Sequence, residues 1–172
     1  THYFGSLTEK NVGESVHLSG WVQRTRDLGG LVFVWLRDRE GVVQLVFDAA
    51  VCGEEIFQLG RSLRAEYVLT TVGEVRARDA SAVNAQLATG AIEVFVRQAE
   101  LLNKSETPPI YVEDGAKDNE QIRLQYRYLD MRKPSVQAAL RARHSITRAI
   151  REHMDESGFT EVETPILSRS TP

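Results

Sequence analysis

Few residues of this chain have the types and spacing that covalent chemistry requires. The 172-residue sequence contains no glycine-rich phosphate loop, no cluster of metal ligands and no nucleophile with a nearby base. His144, His153 and Asp155 could act as acid–base groups, but a solvated helix face explains their spacing more simply. The single cysteine, Cys52, cannot form an internal disulfide and is expected to be a buried or half-buried apolar residue. The sequence therefore predicts no catalytic residue and no metal site in this segment.

Side chains that bind nucleic acid are better represented. A single-stranded loop is recognised by stacking its bases on aromatic rings and by hydrogen bonds to the base edges. Phe33, Gln44 and Glu93 offer a ring, an amide and a carboxylate, each on a predicted strand. Spacing alone, however, favours the interior of a barrel for Phe33 and a solvated surface for Gln44. The pattern needs a further argument before a role can be assigned.

Charge is distributed unevenly along the chain. The formal net charge of −3 argues against a sequence-blind nucleic-acid binder, which usually carries a strongly basic face. Residues 131–151 nevertheless contain six basic and no acidic side chains: Arg132, Lys133, Arg141, Arg143, Arg148 and Arg151. Either a solvated helix face or contact with a polyanion would account for this run.

Composition is that of an ordinary globular protein, with 42% hydrophobic and 26% charged residues. No apolar run approaches the roughly 18 residues that span a bilayer. Thr1–Lys10 lacks the basic start, apolar core and cleavage site of a signal peptide. We therefore expect a cytoplasmic protein with no membrane partner.

The first hundred residues have patterns that are typical of β-strands: apolar and polar positions alternate in Val16–Arg26, and short β-branched or aromatic runs follow. Strands are predicted at Val16–Arg26, Leu31–Arg37, Val42–Phe47, Tyr67–Arg78 and Ala91–Val96. Between the third and the fourth, Glu54–Leu63 has apolar residues at helical spacing. Three strands, a helix and two strands are the element order of the OB-fold, a five-stranded Greek-key barrel.

In an OB-fold, oligonucleotides bind the exposed face of strands two and three and the loops that join strands one to two and four to five. Asp79–Gly90, between the last two predicted strands, is longer than a routine hairpin turn and is a candidate functional loop. Gly20 lies in the middle of the first strand. We expect it to mark the bulge that bends this strand around a small barrel.

The composition changes after Asn103. Lys104–Glu120 is acidic, aperiodic and contains prolines, which predicts an extended linker. Val136–Ser157, preceded by Pro134, has one apolar face and predicts a helix of about six turns that Gly158 would terminate.

Phe159–Leu167 is predicted to be a strand at an edge or an interface, because Pro165 would break a ladder in a sheet interior. The expected organisation is an all-β OB-fold barrel over residues 1–103, a linker or hinge over 104–133, and the start of a second domain over 134–172.

Three stretches resemble one known family. Gly20–Val46, Arg123–Lys133 and Gly158–Leu167 are similar to the anticodon-binding barrel, the hinge and the first class II motif of bacterial-type aspartyl-tRNA synthetases. The third motif is shared by class II synthetases generally, whereas YRYLDMR at Tyr126–Arg132 looks aspartyl. The resemblance covers essentially the whole chain. It implies an OB-fold followed by the first helix and strand of a class II α+β catalytic domain.

The resemblance implies roles for the three strand residues. Phe33 would stack on the middle anticodon base, and such stacking contributes about 1 to 3 kcal/mol per base. Gln44 offers a donor and an acceptor that suit the edge of uracil or guanine. Glu93 would accept from the amino group of cytosine or from guanine, and these two alternatives stay open.

Arginines on the same strands would hold phosphates or base edges. The candidates are Arg24, Arg26, Arg76 and Arg78, of which Arg26 and Arg76 are preferred. Bacterial enzymes that charge both aspartate and asparagine tRNA tend to carry histidine at the position of Leu28 and glycine near Ala82. Leu28 and Ala82 therefore imply an enzyme that discriminates between the two tRNAs.

Complete members of the family adenylate L-aspartate with ATP and Mg²⁺ and then transfer it to the tRNA. The residues for that chemistry would follow Pro172, so this segment alone is expected to be inactive. The first class II motif packs against its counterpart in a second subunit. Gly158, Val162, Pro165 and Ile166 are accordingly expected in a homodimer interface.

Two other kinds of protein compete with this interpretation. A non-enzymatic OB-fold binder of single-stranded DNA or RNA would have no reason to carry YRYLDMR or GFTEVETP. A structural or dimerisation protein would explain the latter motif but not the pattern of Phe33, Gln44 and Glu93.

Overall fold

The computed structural model describes residues 2–115, 117–167 and 169–170. The chain divides into two compact units, Thr1–Pro108 and Pro109–Pro172. From the sequence, the first domain is expected to end at residue 103 and residues 104–133 to form a linker or hinge. In the structure the last strand of the first unit also ends at Asn103, and five further residues belong to that unit.

The first unit is a closed five-stranded barrel, as the sequence predicted. Its elements are β1 (Ser15–Asp27), β2 (Leu31–Arg37), β3 (Val42–Asp48), α1 (Ala49–Ser62), β4 (Val68–Ala77) and β5 (Ile92–Asn103). The strands close in the order β1-β2-β3-β5-β4, and the β3–β5 pair is parallel while the other pairs are antiparallel. Strand β5 continues well beyond the predicted end at Val96, because its second half pairs with the first half of β4.

The barrel interior is filled by alternate residues of each strand. In β2, Val32, Val34 and Leu36 are buried while the residues between them are only half-buried. Full burial of such an aliphatic side chain contributes about 1.5 to 3 kcal/mol. Because the side-chain period of a strand is two, each interior residue places its neighbours on the outer face.

Gly20 has a different role from the predicted one. The irregularity in the β1–β2 register lies between Val22 and Arg24, not at Gly20. A Cβ atom at Gly20 would lie 2.4 Å from the carbonyl oxygen of Arg37 and 2.9 Å from the ring of Phe4. The glycine is therefore needed for close approach of β2 and of the buried Phe4 ring, and the prediction of a bulge there was wrong.

Helix α1 begins earlier than the predicted Glu54, because Asp48 caps it by accepting from the backbone N–H of Ala50 at 2.9 Å. A kink at Gly53 separates this first turn from the predicted span. Cys52 is half-buried against the core, as expected, and this burial raises the pKa of its thiol.

Among its described residues, the second unit contains three helices: α2 (Glu120–Gln125), α3 (Arg127–Asp130) and α4 (Pro134–Glu156). The described residues of 104–119 form no helix or strand, which agrees with the predicted extended linker. Helices α2 and α3, within the predicted hinge, were not predicted. Arg123 donates from Nε and Nη2 to the two carboxylate oxygens of Asp130 at 2.9 and 3.1 Å. This pairing lowers the pKa of the Asp130 carboxyl. Lys133 donates to Asp118 at 2.6 Å, so charge pairs tie this segment together.

Helix α4 begins two residues before the predicted Val136 and ends one residue before the predicted Ser157. Pro134 occupies its first turn, and Gly158 follows its end with a φ of +81°. The N–H of Gly158 donates to Asp155, and that of Phe159 donates to Met154. These two bonds form a Schellman motif, which requires the left-handed conformation that glycine adopts without strain.

The strand predicted for Phe159–Leu167 has no hydrogen-bonded partner in the described part of the chain. Residues 159–165 carry no regular element and 166–167 form a bend. A β-strand is stabilised by hydrogen bonds to a neighbouring strand. Phe159–Leu167 has no such neighbour in the described part of the chain, so it does not form a strand there.

Candidate nucleic-acid interface

A row of polar and aromatic side chains crosses the outer face of the barrel. The register pairs Arg24 of β1 with Trp35 of β2, and Trp35 with Gln44 of β3. Because Leu45 pairs with Val94, Gln44 lies beside Glu93 of β5, which in turn pairs with Arg76 of β4. The closed barrel thus brings together residues that are up to 69 positions apart, since 93 − 24 = 69.

Phe33 lies on this outer face and not in the barrel interior. Its neighbours Val32 and Val34 are buried at 1% and 0% exposure, while Phe33 itself is only half-buried. Arg26 pairs with it across the β1–β2 ladder. The ring therefore lies on the outer face, and packing inside the barrel is excluded.

Gln44 stands in the middle of a hydrogen-bond chain. The indole N–H of Trp35 donates to its Oε1 at 3.2 Å, and its Nε2 donates to Oε2 of Glu93 at 2.9 Å. Trp35 was not among the residues predicted from the sequence. The signal was present, because Phe33 and Trp35 are two residues apart on a strand and must share a face.

Glu93 is a carboxylate in a partly desolvated position. Burial raises the pKa of its carboxyl, while the hydrogen bond from Gln44 and the positive charge of Arg78 oppose part of this rise. An N–H donor of a bound base would replace the water that burial has removed from the Glu93 carboxylate. Binding of a cytosine amino group or a guanine N–H is therefore expected to favour the ionised form.

Arg78 is more deeply placed than a surface arginine, with 4% of its side chain exposed. Its Nε donates to the carbonyl oxygen of Ile92 at 2.8 Å, and it lies 3.9 Å from Oε2 of Glu93. Burial lowers the pKa of its guanidinium. Its buried Nη2 has no hydrogen-bond partner among the described residues. Such a donor beside a cleft can satisfy an acceptor of a ligand.

Arg76 is engaged differently from the other arginines. Its guanidinium carbon lies 4.2 Å from the ring centre of Phe95, and its Nη2 is 3.4 Å from Glu74. Glu74 also accepts from Arg97 at 2.6 Å. Arg76 therefore stands at the end of the row and does not line the cleft described next.

A cleft of about 390 Å³ opens on this face. It is lined by Arg24, Thr25, Arg26, Leu28, Phe33, Trp35, Gln44, Arg78, Ala82 and Asn84. Leu28 belongs to the β1–β2 turn, while Ala82 and Asn84 belong to the β4–β5 loop. Three arginines make the cleft basic although the chain carries a net charge of −3. The residues predicted for binding or discrimination line this cleft, with two exceptions. Glu93 does not line it but accepts a hydrogen bond from Gln44, which does, and Arg76 lies outside it.

The predicted interface residues of the second unit are accessible. Val162 is 71% exposed and Ile166 is 100% exposed, and Ile146 and Ile150 of α4 are also exposed. Arg151 pairs with Glu161 through both carboxylate oxygens, which joins the end of α4 to the segment after Gly158. His144 and His153 lie on the exposed surface of α4, as a solvated helix face requires.

Two kinds of feature are absent from the described residues. No group of three or more His, Cys, Asp or Glu side chains among them could hold a metal ion. None of the described helices is long and apolar enough to cross a membrane.

Comparison with known proteins gives two family matches. Residues 16–102 match the family described as OB-fold nucleic acid binding domain. Residues 119–172 match the family described as tRNA synthetases class II (D, K and N). The first match covers the barrel strands from β1 to the end of β5, apart from one residue at either end.

Relatives and solved structures agree with these matches. An aspartate–tRNA ligase of Listeria monocytogenes serotype 4a is 48% identical over 172 residues, which are 100% of this chain and 29% of that protein. An aspartate–tRNA(Asp/Asn) ligase of Heliobacterium modesticaldum is 49% identical over the same 100% of this chain and 28% of its own length. The crystal structure of asparaginyl-tRNA synthetase from Pyrococcus horikoshii, complexed with asparaginyl-adenylate, has a TM-score of 0.83 at 28% identity and covers 96% of this chain and 36% of that one.

The chain thus spans under a third of the length of the relatives that it matches. Its barrel topology, its basic outer-face cleft and the match over residues 16–102 lead to one assignment. The chain belongs to the OB-fold nucleic acid binding domain family, and its residues 119–172 match the family described as tRNA synthetases class II (D, K and N).

Proposed function

We propose that the barrel of this chain binds the anticodon loop of aspartate tRNA. The observation that carries the proposal is the outer-face cleft, in which an aromatic ring, a hydrogen-bonded amide and three arginines converge. Phe33 would supply the stacking surface, and Gln44 and Glu93 would read base edges. Arg24 and Arg26 are exposed and would hold phosphates, while the unpaired Nη2 of Arg78 would meet an acceptor. Arg76 would act at the margin of the site.

The complete polypeptide would be an aspartate–tRNA ligase, as the relatives are named. Such an enzyme adenylates L-aspartate with ATP and Mg²⁺ and transfers the aspartyl group to tRNA. The described residues contain no group of three or more His, Cys, Asp or Glu side chains that could hold a metal ion. Their contribution is recognition of the tRNA, in a protein that acts in the cytoplasm.

A non-enzymatic OB-fold binder is the less favoured candidate. It would account for the barrel and its cleft, but it gives no reason for the class II synthetase match over residues 119–172.

Discrimination between aspartate and asparagine tRNA would lie at the rim of the cleft. Leu28 and Ala82 line it from the two loops that flank the base-reading residues. The two tRNAs differ in the third anticodon base, so a residue that contacts this base can separate them. We propose that the enzyme is specific for aspartate tRNA.

Titration of the 172-residue chain with RNA hairpins tests these proposals. A hairpin with the GUC anticodon should bind at least about fivefold more tightly than one with GUU, which corresponds to about 1 kcal/mol for one well-placed hydrogen bond. A hairpin with the same stem and a loop without these bases is the control for phosphate contacts alone. Equal affinity for the GUC hairpin and the control loop would contradict the proposed anticodon recognition. Equal affinity for the GUC and GUU hairpins would contradict only the proposed discrimination between the two tRNAs.

The complete polypeptide is expected to be a homodimer. Exposed Val162 and Ile166, with the exposed apolar residues Ile146 and Ile150 of α4, support this proposal because such apolar surface favours association. A two-fold interface would use the same patch on both subunits. Sedimentation of the full-length protein over a concentration series measures its assembly. A monomer that persists at tens of micromolar would contradict the assignment of Gly158, Val162, Pro165 and Ile166 to an interface.

A further inference from the structure

The chain of hydrogen bonds from Trp35 to Glu93 decides which way the Gln44 amide faces. An amide has an acceptor oxygen on one arm and a donor nitrogen on the other, and a half-turn exchanges them. The indole N–H of Trp35 can only donate, and it lies 3.2 Å from Oε1. An ionised Glu93 can only accept, and its Oε2 lies 2.9 Å from Nε2. Both neighbours therefore favour the same orientation.

After these two bonds, the Gln44 amide can still accept one hydrogen bond and donate one. Its Oε1 keeps one lone pair, and its Nε2 keeps one N–H. Gln44 lines the cleft together with Phe33, which is its diagonal neighbour because Phe33 pairs with Val46 and Trp35 with Gln44. A base stacked on Phe33 would therefore meet one acceptor and one donor in a set order.

Uracil and cytosine are the two bases for which this order has the largest consequence. Uracil presents the acceptor O4 beside the donor N3–H, whereas cytosine presents the donor N4 amino group beside the acceptor N3. The two rings have the same size and stack alike, so shape does not separate them. An amide turned by a half-turn in the same place would accept cytosine instead of uracil.

We propose that Trp35 is a positioning residue for base specificity: with Glu93 it holds the Gln44 amide in the orientation that accepts uracil and rejects cytosine at the base stacked on Phe33. The proposal rests on the proposed binding of the anticodon loop. Trp35 acts through Gln44, because its one N–H is used in this bond. A mispaired base would leave buried polar groups unsatisfied, and this is how such a site rejects it.

The test compares hairpins with GUC and GCC anticodons and uses the ratio of their dissociation constants. Wild-type chain should bind GUC more tightly. Trp35→Phe keeps an aromatic ring in the cleft but removes the N–H, so it should lower this ratio about two- to tenfold, as expected for one net hydrogen bond. Trp21→Phe is the matched control, because Trp21 is the other tryptophan of the chain and does not line the cleft. It should leave the ratio unchanged.

The outcomes separate this inference from the proposed function. If wild-type chain binds neither hairpin more tightly than a control loop, anticodon recognition fails and the inference fails with it. If wild-type chain prefers GUC and Trp35→Phe weakens both hairpins by the same factor, Trp35 has only a structural role and the inference alone is overturned.

A second measurement does not depend on the folding of Trp35→Phe. In ¹⁵N-labelled chain, the indole N–H of Trp35 should exchange with solvent more slowly in the wild type than in Gln44→Leu, because Gln44 is its acceptor. The indole N–H of Trp21 serves as the reference within the same spectrum. Equal exchange rates for Trp35 in both proteins would overturn the inference.

Discussion

Phe33→Ala should weaken binding of a GUC hairpin by about 1 to 3 kcal/mol, because a base stacked on an aromatic side chain loses this contact when the ring is removed. The ring is available for stacking, since alternation in β2 directs Val32 and Val34 into the core and Phe33 to the cleft. Titration of both proteins with a labelled hairpin, followed by fluorescence anisotropy, measures the difference. Phe33→Leu separates stacking from apolar volume, and it should lose most of the same affinity.

Tyr3→Ala is the matched control for this experiment. Tyr3 is an exposed aromatic residue with the guanidinium of Arg39 4.4 Å from its ring centre, but it does not line the cleft. Its removal should leave hairpin affinity unchanged. Equal affinities of the wild type and Phe33→Ala would remove Phe33 from the binding site.

Gly20→Val should lower the free energy of unfolding by about 1 to 3 kcal/mol, because the added side chain overpacks a filled core. Its Cβ alone would lie 2.4 Å from the carbonyl oxygen of Arg37, a backbone atom that moves only with β2. Urea unfolding followed by circular dichroism measures the change through the midpoint at constant slope.

Gly30→Ala provides the comparison for Gly20→Val. A Cβ at Gly30 would have no atom within 4 Å, and its φ lies outside the left-handed region. This variant should change stability by less than about 0.5 kcal/mol. If Gly20→Val is as stable as Gly30→Ala, the close approach of β2 and Phe4 does not constrain the strand.

Local patterns in the sequence predicted the five strands, α4 and most of α1, but not α2 and α3. Alternation of apolar and polar residues in β1, together with short β-branched or aromatic runs in β2 and β3, predicted these strands, because both patterns are properties of neighbouring residues. Pro134 and Gly158 predicted the limits of α4, because their backbone preferences act over a single turn. The resemblance to aspartyl-tRNA synthetases added Phe33, Gln44 and Glu93 as site residues.

Only the tertiary structure decided how these residues meet. The parallel pairing of β3 with β5 puts Gln44 beside Glu93, and no local rule specifies a contact across 49 positions. Strand alternation places Trp35 on the same face as Phe33, but its bond to Gln44 depends on the register of β2 and β3. Gly20 was assigned to a bulge when it is needed for the approach of Phe4 and Arg37, a contact that also joins distant parts of the chain. Burial of Arg78 and the position of Arg76 outside the cleft also depend on closure of the barrel. Sequence alone thus determined the strands and the types of their side chains, while closure of the barrel determined the face of Phe33 and the partners of the site residues, because those contacts join residues that are distant along the chain.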